Sequence, residues 1–288
     1  MGSGTDTVTV SSGIAIKKVN ITLGDSADTY TTGGADNGVT VGGQDGADTF
    51  NINAAVVSSR YAGGKGADTF VSTTANSKNT TVVGGSEADV IGTSSERFDT
   101  GTSDFINGQV GKDSIFLTAL AKTTVHGGSE DDTINNDQDA DGLYLSGDKG
   151  ADTIVDGAGD NSLLGGGGAD TITAGGGTDT ITAGLGADTI VYTTVSATAF
   201  DIVTDFDVDF DKASMDISAL NAAYTVSSAA SKLTTGNDVD VAAGDTAVIQ
   251  NIGQAATIAK KTNVINWTKA AENAAALESA VEAVTINT

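Results

Sequence analysis

The chain has 288 residues, with 38 acidic side chains against 14 basic ones and a formal net charge of −24. That charge excludes nucleic acid as a partner, because phosphates would be repelled. It has no cysteine, which rules out a disulfide scaffold, and no proline, which fits a chain built from continuous strand pairing where every N–H is needed. Apolar residues make up 39% and aromatics 5%, a lean composition that on its own would point towards disorder.

Residues 1–4, Met1-Gly2-Ser3-Gly4, read as a scar or linker outside the fold. No signal-peptide pattern of a basic stretch and an apolar core follows them, and no apolar run reaches the length of a membrane span.

From there the sequence is organised by aspartates. Asp28, Asp48, Asp68, Asp89, Asp113, Asp132, Asp152, Asp170, Asp179 and Asp188 are separated by 20, 20, 21, 24, 19, 20, 18, 9 and 9 residues. A large apolar residue follows each aspartate by two positions (Tyr30, Phe50, Phe70, Ile91 and so on to Ile190), and another precedes it by seven. Glycines fill the interval. Strict phasing of this kind describes one short unit stacked many times, not a globular core.

The unit reads as strand, turn, strand, turn. Polar and apolar residues alternate through Gly-Ala-Asp-Thr-Ile, the period of a half-buried strand, and the glycines permit tight corners. A coil of about 18–20 residues places one apolar residue on each of two walls. Coils stacked at about 4.8 Å pair each strand with its copies above and below, and eight of them make a rod about 40 Å long. No coil can bury its own core, so neighbours must supply it.

The same stacking sets carboxylates about 5 Å apart, where a like-charge pair costs roughly 1 kcal/mol even in water. Hard cations between the rungs would turn that liability into a cross-link. Calcium takes six to eight oxygens from carboxylates and carbonyls, and glycine turns expose carbonyls. Magnesium suits such turns poorly, and zinc lacks ligands in a chain with no cysteine and the single histidine His126.

Residues 147–195 carry the purest units. Gly147-Asp148-Lys149-Gly150-Ala151-Asp152-Thr153-Ile154, then the runs ending in Asp170, Asp179 and Asp188, resemble the RTX nonapeptide G-G-x-G-x-D-x-U-x. The resemblance implies a right-handed parallel β-roll with several calcium ions held between turns. Two nonapeptides make one coil, so Asp170 and Asp188 would share an edge and Asp179 would face the other. The metal-holding residues it implies are Asp152, Asp170, Asp179 and Asp188 with the turn glycines Gly150, Gly168, Gly177 and Gly186.

Residues 5–146 form degenerate repeats of the same solenoid. One edge keeps the motif, as in Gly43-Gln44-Asp45-Gly46-Ala47-Asp48. The other loses it, reading Asn53-Ala54-Ala55-Val56-Val57. On the kept edge Asp28, Asp48, Asp68, Asp89, Asp113 and Asp132 are candidate ligands, with Asx-turn closure as the structural alternative. Glu87 and Glu130 replace a motif glycine, where a positive φ is disfavoured for Glu.

Residues 196–288 read as a capping region. Asp201-Ile202-Val203-Thr204-Asp205-Phe206, continuing to Leu220, resembles the segment after the roll in type I-secreted RTX proteins, which adds Asp201 and Asp205 to the candidate ligands. Asp205, Asp207, Asp209 and Asp211 are expected as exposed acids able to bridge neighbouring molecules. Short strands follow, with Trp267 as a core anchor, and Thr268 is expected to cap a helix over about 268–284 whose small apolar face includes Ala270, Ala274 and Leu277. The fold class expected is thus all-β: a parallel β-roll or β-solenoid, a β-rich cap and a C-terminal helix.

No catalytic set is visible. One histidine cannot supply H-E-x-x-H, and His126 beside Gly127-Gly128 reads as a wall residue. The chain is expected not to be an enzyme. Two functions stand. One is a secreted, calcium-dependent S-layer protein, self-assembling at the cell surface with copies of itself in a lattice and with cell-surface polysaccharide as a candidate partner. The other is the calcium-responsive module of a secreted adhesin, toxin or hydrolase whose active domain lies elsewhere. Ice binding by a flat threonine-rich face is a third.

Overall fold

A computed structural model of the chain describes residues 2–72, 77–118, 122–136, 138, 140–192, 201–207 and 210–216, and beyond them the strands Thr225–Val226, Asp238–Val241, Ile249–Gln250, Gln254–Ala259 and Val264–Lys269. The described residues up to 216 form a parallel β-solenoid, the strands beyond it pair antiparallel, and none of the described residues is helical. A ten-stranded sheet makes one wall and a thirteen-stranded sheet the other.

One coil shows why the sequence folds this way. Tyr144–Lys149 runs along the first wall with Leu145 inward, the glycine turn reverses the chain, and Thr153–Asp156 runs along the second wall with Ile154 inward. Eighteen residues later the same path repeats: Leu145 pairs in register with Leu163, and Ile154 with Ile172. Each inward residue therefore sits on its own copy, and the phased apolar positions become two continuous columns, buried throughout except at Ile21 in the first coil, which is partly buried. A buried aliphatic or aromatic side chain contributes roughly 1.5–3 kcal/mol. Phe50 and Phe70 stack at 4.5 Å with ring planes 8° apart, which is what an in-register parallel sheet does to identical residues.

The boundary expected between 146 and 147 falls inside strand Tyr144–Lys149, which is paired on both sides, so the two repeat regions share unbroken sheets. Ser3, expected outside the fold, instead bridges Asp25. The upstream coils are wider than the downstream ones. Ile16–Lys17, Asp36–Asn37 and Val56–Val57 form a third, short sheet on the edge where the motif is lost. Beside it the core holds one carboxylate: Tyr30 and Tyr61 both donate to Asp36 Oδ2, at 2.7 and 2.8 Å. The 24-residue spacing before Asp113 is a surface loop at Thr93–Glu96. Arg97 closes it by donating to the Leu117 and Asn135 carbonyls and to Asn135 Oδ1.

At the C-terminal end, Lys212–Asp216 adds parallel to Thr189–Tyr192, and Asp238–Val241 then adds antiparallel. Thr268, expected to cap a helix, lies in strand Val264–Lys269. The remainder of that helix, residues 270–284, and the Trp267 side chain lie outside the described residues.

Candidate metal centre

The repeated aspartates converge on one edge as a hydrogen-bonded ladder. The amide of each donates to Oδ1 of the aspartate one coil further on: Asp28 to Asp48, Asp48 to Asp68, Asp68 to Asp89, Asp89 to Asp113, Asp113 to Asp132, Asp132 to Asp152, Asp152 to Asp170 and Asp170 to Asp188, all at 2.7–2.8 Å. Asp6 begins the file by donating to Asp28, and Asp188 ends it by donating to Asp211 Oδ1 at 3.1 Å. Asp6 and Asp211 were not anticipated as members. Their signal was the same aspartate followed by a strand, 22 residues before Asp28 and 23 after Asp188.

One oxygen of each carboxylate is thereby used. The other is not. Oδ2 of Asp28, Asp48, Asp68, Asp89, Asp113, Asp132, Asp152, Asp170 and Asp188 is buried without a hydrogen-bond partner, and so is that of Asp179 on the opposite edge. None of these residues is more than 2% exposed. Buried polar atoms in native proteins have partners, so ten at one repeated position demand an explanation.

The turn glycines show what lies beside them. A Cβ on Gly43 would collide with Asp48 Oδ2 and with the Gly63 carbonyl oxygen. The same clash arises at Gly63 with Asp68 and Gly84, at Gly84 with Asp89 and Gly108, and at Gly108 with Asp113 and Gly127. At these four places, and at Gly165 with Asp170 and Ala183, the unpartnered carboxylate oxygen thus shares a small space with a carbonyl of the next coil, and only glycine leaves that space open; at Gly127 and Gly147 a Cβ would meet the Asp132 and Asp152 side chains. Leu23 and Ala183 stand at this place before Asp28 and Asp188. Asp188, whose motif looked among the purest, therefore has a methyl group where its neighbours have none.

Burial also moves the carboxyls. It pushes Asp48, Asp113, Asp152, Asp170 and Asp188 up to about 6, Asp68 to about 7, and Asp89 and Asp132 to about 8. The amide hydrogen bonds oppose this rise without cancelling it. Among the described residues no group of three or more His, Cys, Asp or Glu side chains is arranged to hold a metal. An ion on this edge would take a carboxylate from the ladder and complete its shell from turn carbonyls, a donor set of hard oxygens that fits calcium.

The remaining candidates have other places. Gly150, Gly168, Gly177 and Gly186 turn corners at φ of 110–146°, and a Cβ on any of them would strike a carbonyl of the preceding coil. Glu87 and Glu130 take the equivalent corner at φ 79° with exposed side chains, a backbone region costing an L residue roughly 1–2 kcal/mol. On the second edge neutral groups carry the ladder in several coils. The Val39 amide donates to Ser59 Oγ and the Leu143 amide to Asn161 Oδ1, whereas the Thr80 amide donates to the buried Asp104 Oδ1, Asn161 to Asp179 and Asp179 to Asp201.

Asp205 commits both oxygens to the amides of Ala183 and Gly184, at 2.8 and 2.9 Å. Asp211, expected as an exposed bridging acid, is 2% exposed and accepts from Asp188 and Asp207. The ladder needs a final acceptor, and that draws it inside. Asp207 is exposed, and Asp209 lies outside the described residues. His126 is half-buried on the outer wall between the rings of Phe105 and Tyr144, with Nδ1 2.9 Å from Asp148 Oδ2.

The family model of the RTX calcium-binding nonapeptide repeat (4 copies) matches residues 144–172 and 156–190. No curated protein matches the chain. The segment 144–190 thus carries RTX calcium-binding repeats, set within a parallel β-solenoid that continues the same ladder upstream.

Proposed function

We propose that the chain is a calcium-dependent structural protein of a bacterial surface layer, which folds and self-assembles with the ion. The observation that carries the calcium part is the file of buried, unpartnered Oδ2 atoms, with a backbone carbonyl in the same space at Asp48, Asp68, Asp89, Asp113 and Asp170. Asp48, Asp68, Asp89, Asp113, Asp132, Asp152 and Asp170, each with a glycine at the start of its turn, would hold the ions with turn carbonyls. Asp28 and Asp188, crowded by Leu23 and Ala183, would hold them less well. Calcium, when bound, would neutralise the carboxylates and cross-link successive coils. The residues themselves fix Oδ1 on a backbone amide, leave Oδ2 facing the turn, and keep water from the carboxylate by burial.

The surface-layer part rests on the extent of the solenoid and the character of the chain. Its walls are long and regular, and RTX repeats occur in secreted proteins. Negative-stain microscopy and size-exclusion chromatography of the folded protein with millimolar calcium test this. Sheets or ordered arrays are expected. A monodisperse monomer would instead support the module of a secreted adhesin, toxin or hydrolase.

A further inference from the structure

The two edges of the solenoid carry opposite charges in the same coils. With coils counted by their first-wall strands from Asn20–Asp25 onward, the second edge holds Lys17 and Lys18 in the first coil, Lys78 in the fourth and Lys122 in the sixth. All four are exposed, and none forms an ion pair among the described residues. Arg60, also exposed, starts a first-wall strand and lies on the wall. Of the acids whose side chains are described on that edge up to Lys122, Asp36 and Asp104 are buried and Glu96 stands on the surface loop of the fifth coil.

The first edge is acidic outside its buried ladder, and part of that charge is already used. Asp45 pairs with Lys65 of the next coil, and Asp131 with Lys112. Through the sixth coil these pairs leave Asp25 in the first, Glu87 in the fourth and Glu130 in the sixth, all exposed. Lysines and carboxylates thus follow one spacing on opposite edges: three coils, then two, or about 14 Å and about 10 Å at roughly 4.8 Å per coil. In the seventh coil the signs reverse together, with Asp141 exposed on the second edge and Lys149 on the first, where Asp148 is held by His126 and Ser146.

The corners add an independent observation. Lys18 and Lys122 stand at φ 52° and 54° in a column where Gly38 and Gly142 turn the same corner, and Glu87 and Glu130 at φ 79° in a column with Gly66, Gly111 and Gly150. Glycine suits such corners, so these four charged residues are held there against the preference of the backbone.

We propose that the second edge of one molecule docks on the first edge of a second copy, with the rods parallel and in register, so that Lys17 or Lys18 meets Asp25, Lys78 meets Glu87 and Lys122 meets Glu130. The contact deepens the self-assembly reading and rests on it. A slip of one coil in either direction sets Lys78 against Lys65 or Lys112, so the charges select the register. Exposed ion pairs are individually weak. Each molecule presents both edges, however, so a sideways translation repeats the contact and extends it as an open row.

Sedimentation and negative-stain microscopy of the folded full chain in millimolar calcium test this with two charge-reversed variants, Glu87→Lys with Glu130→Lys, and Lys78→Glu with Lys122→Glu. The replaced side chains are exposed, so circular dichroism in calcium is expected to match wild type. Each variant alone sets like charges edge to edge and is expected to raise the concentration needed for rows at least about tenfold. Mixed one to one, the two variants restore opposite charges at every contact, and alternating rows are expected at the wild-type concentration. Rows formed equally well by either variant alone, or no recovery in the mixture, overturn the contact, while arrays of wild type leave the self-assembly reading standing. Assembly unchanged in the lysine variant, together with loss of wild-type binding to dextran sulfate, assigns the lysines to an anionic polysaccharide and likewise overturns it. A folded wild type that stays monomeric removes the self-assembly reading and the contact with it. Should a double variant misfold, Glu87→Lys and Lys78→Glu are mixed and read by the same criteria.

Discussion

The amide of Asp152 donates to Oδ1 of Asp170 at 2.8 Å, while Oδ2 of both residues stays buried without a partner. The first half of that relationship is a coil-to-coil hydrogen bond that needs no ion. The second half is a charge in a poor solvent, and removing it from water without compensation costs several kcal/mol. Bare, the ladder is held together and pushed apart by the same side chains.

Calcium is therefore expected to be linked to folding. Circular dichroism in chelator should show lost β signal and a lower melting temperature, restored by calcium and largely not by magnesium, because binding to the folded state alone adds to its stability. Identical spectra and melting curves with and without chelator would count against the metal reading.

Stability without metal is expected to fall as pH rises. Burial pushes Asp113, Asp152 and Asp170 up to about 6 and Asp89 and Asp132 to about 8, against about 4 in an unfolded chain. Between those values the folded state binds more protons than the unfolded one, so each of these groups favours folding at low pH and loses that contribution as it ionises. Chelated protein is expected to melt higher at about pH 5 than at about pH 8. Calcium competes with the same protons, so its affinity is expected to rise over that interval. Melting curves and calcium titrations at both pH values give the two signs.

Gly108→Ala tests the space beside the ladder. Gly108 does not have a positive φ, so alanine brings no backbone strain, but its Cβ meets Asp113 Oδ2 and the Gly127 carbonyl oxygen. The variant is expected to bind one calcium ion fewer and to gain less thermal stability from calcium than wild type. An unchanged ion count by calorimetry would show that the ion does not sit in that space.

Asp188→Ala is expected to shift the calcium midpoint less than Asp113→Ala. Ala183 occupies the glycine place before Asp188, whereas Gly108 leaves it open before Asp113. The midpoints from calcium-dependent circular dichroism rank the two, and the reverse order would favour motif purity over the free space.

Tyr61→Phe separates the metal-dependent from the metal-independent part of the core. It removes one of two phenol hydrogen bonds to the buried Asp36, a loss of about 1.5–3 kcal/mol for a bond to a charged group. Denaturant unfolding is expected to show that loss at saturating calcium, with the number of bound ions unchanged.

The stacking itself was legible in the sequence. Regular spacing from Asp28 to Asp188, with apolar residues two positions after and seven before, leaves only a repeated coil with two inward walls, because parallel in-register pairing puts identical positions on top of one another. The same phase singled out the ladder aspartates from Asp28 to Asp188, and the resemblance to the RTX nonapeptide implied their role as ligands. What the sequence did not decide is how each side chain spends its oxygens. Asp205 and Asp211 look like surface acids in a charged run, yet both satisfy backbone amides of the last coils, because a ladder that ends must be given acceptors. Ala183 and Gly165 differ by one methyl group in the sequence, and only the stacked turns show that a Cβ at the Gly165 place falls beside a carboxylate. Asp156 carries no motif. Its place beside Asn161 and Asp179 depends on two turns, 18 residues apart, being brought into contact, and that contact exists only in the folded solenoid.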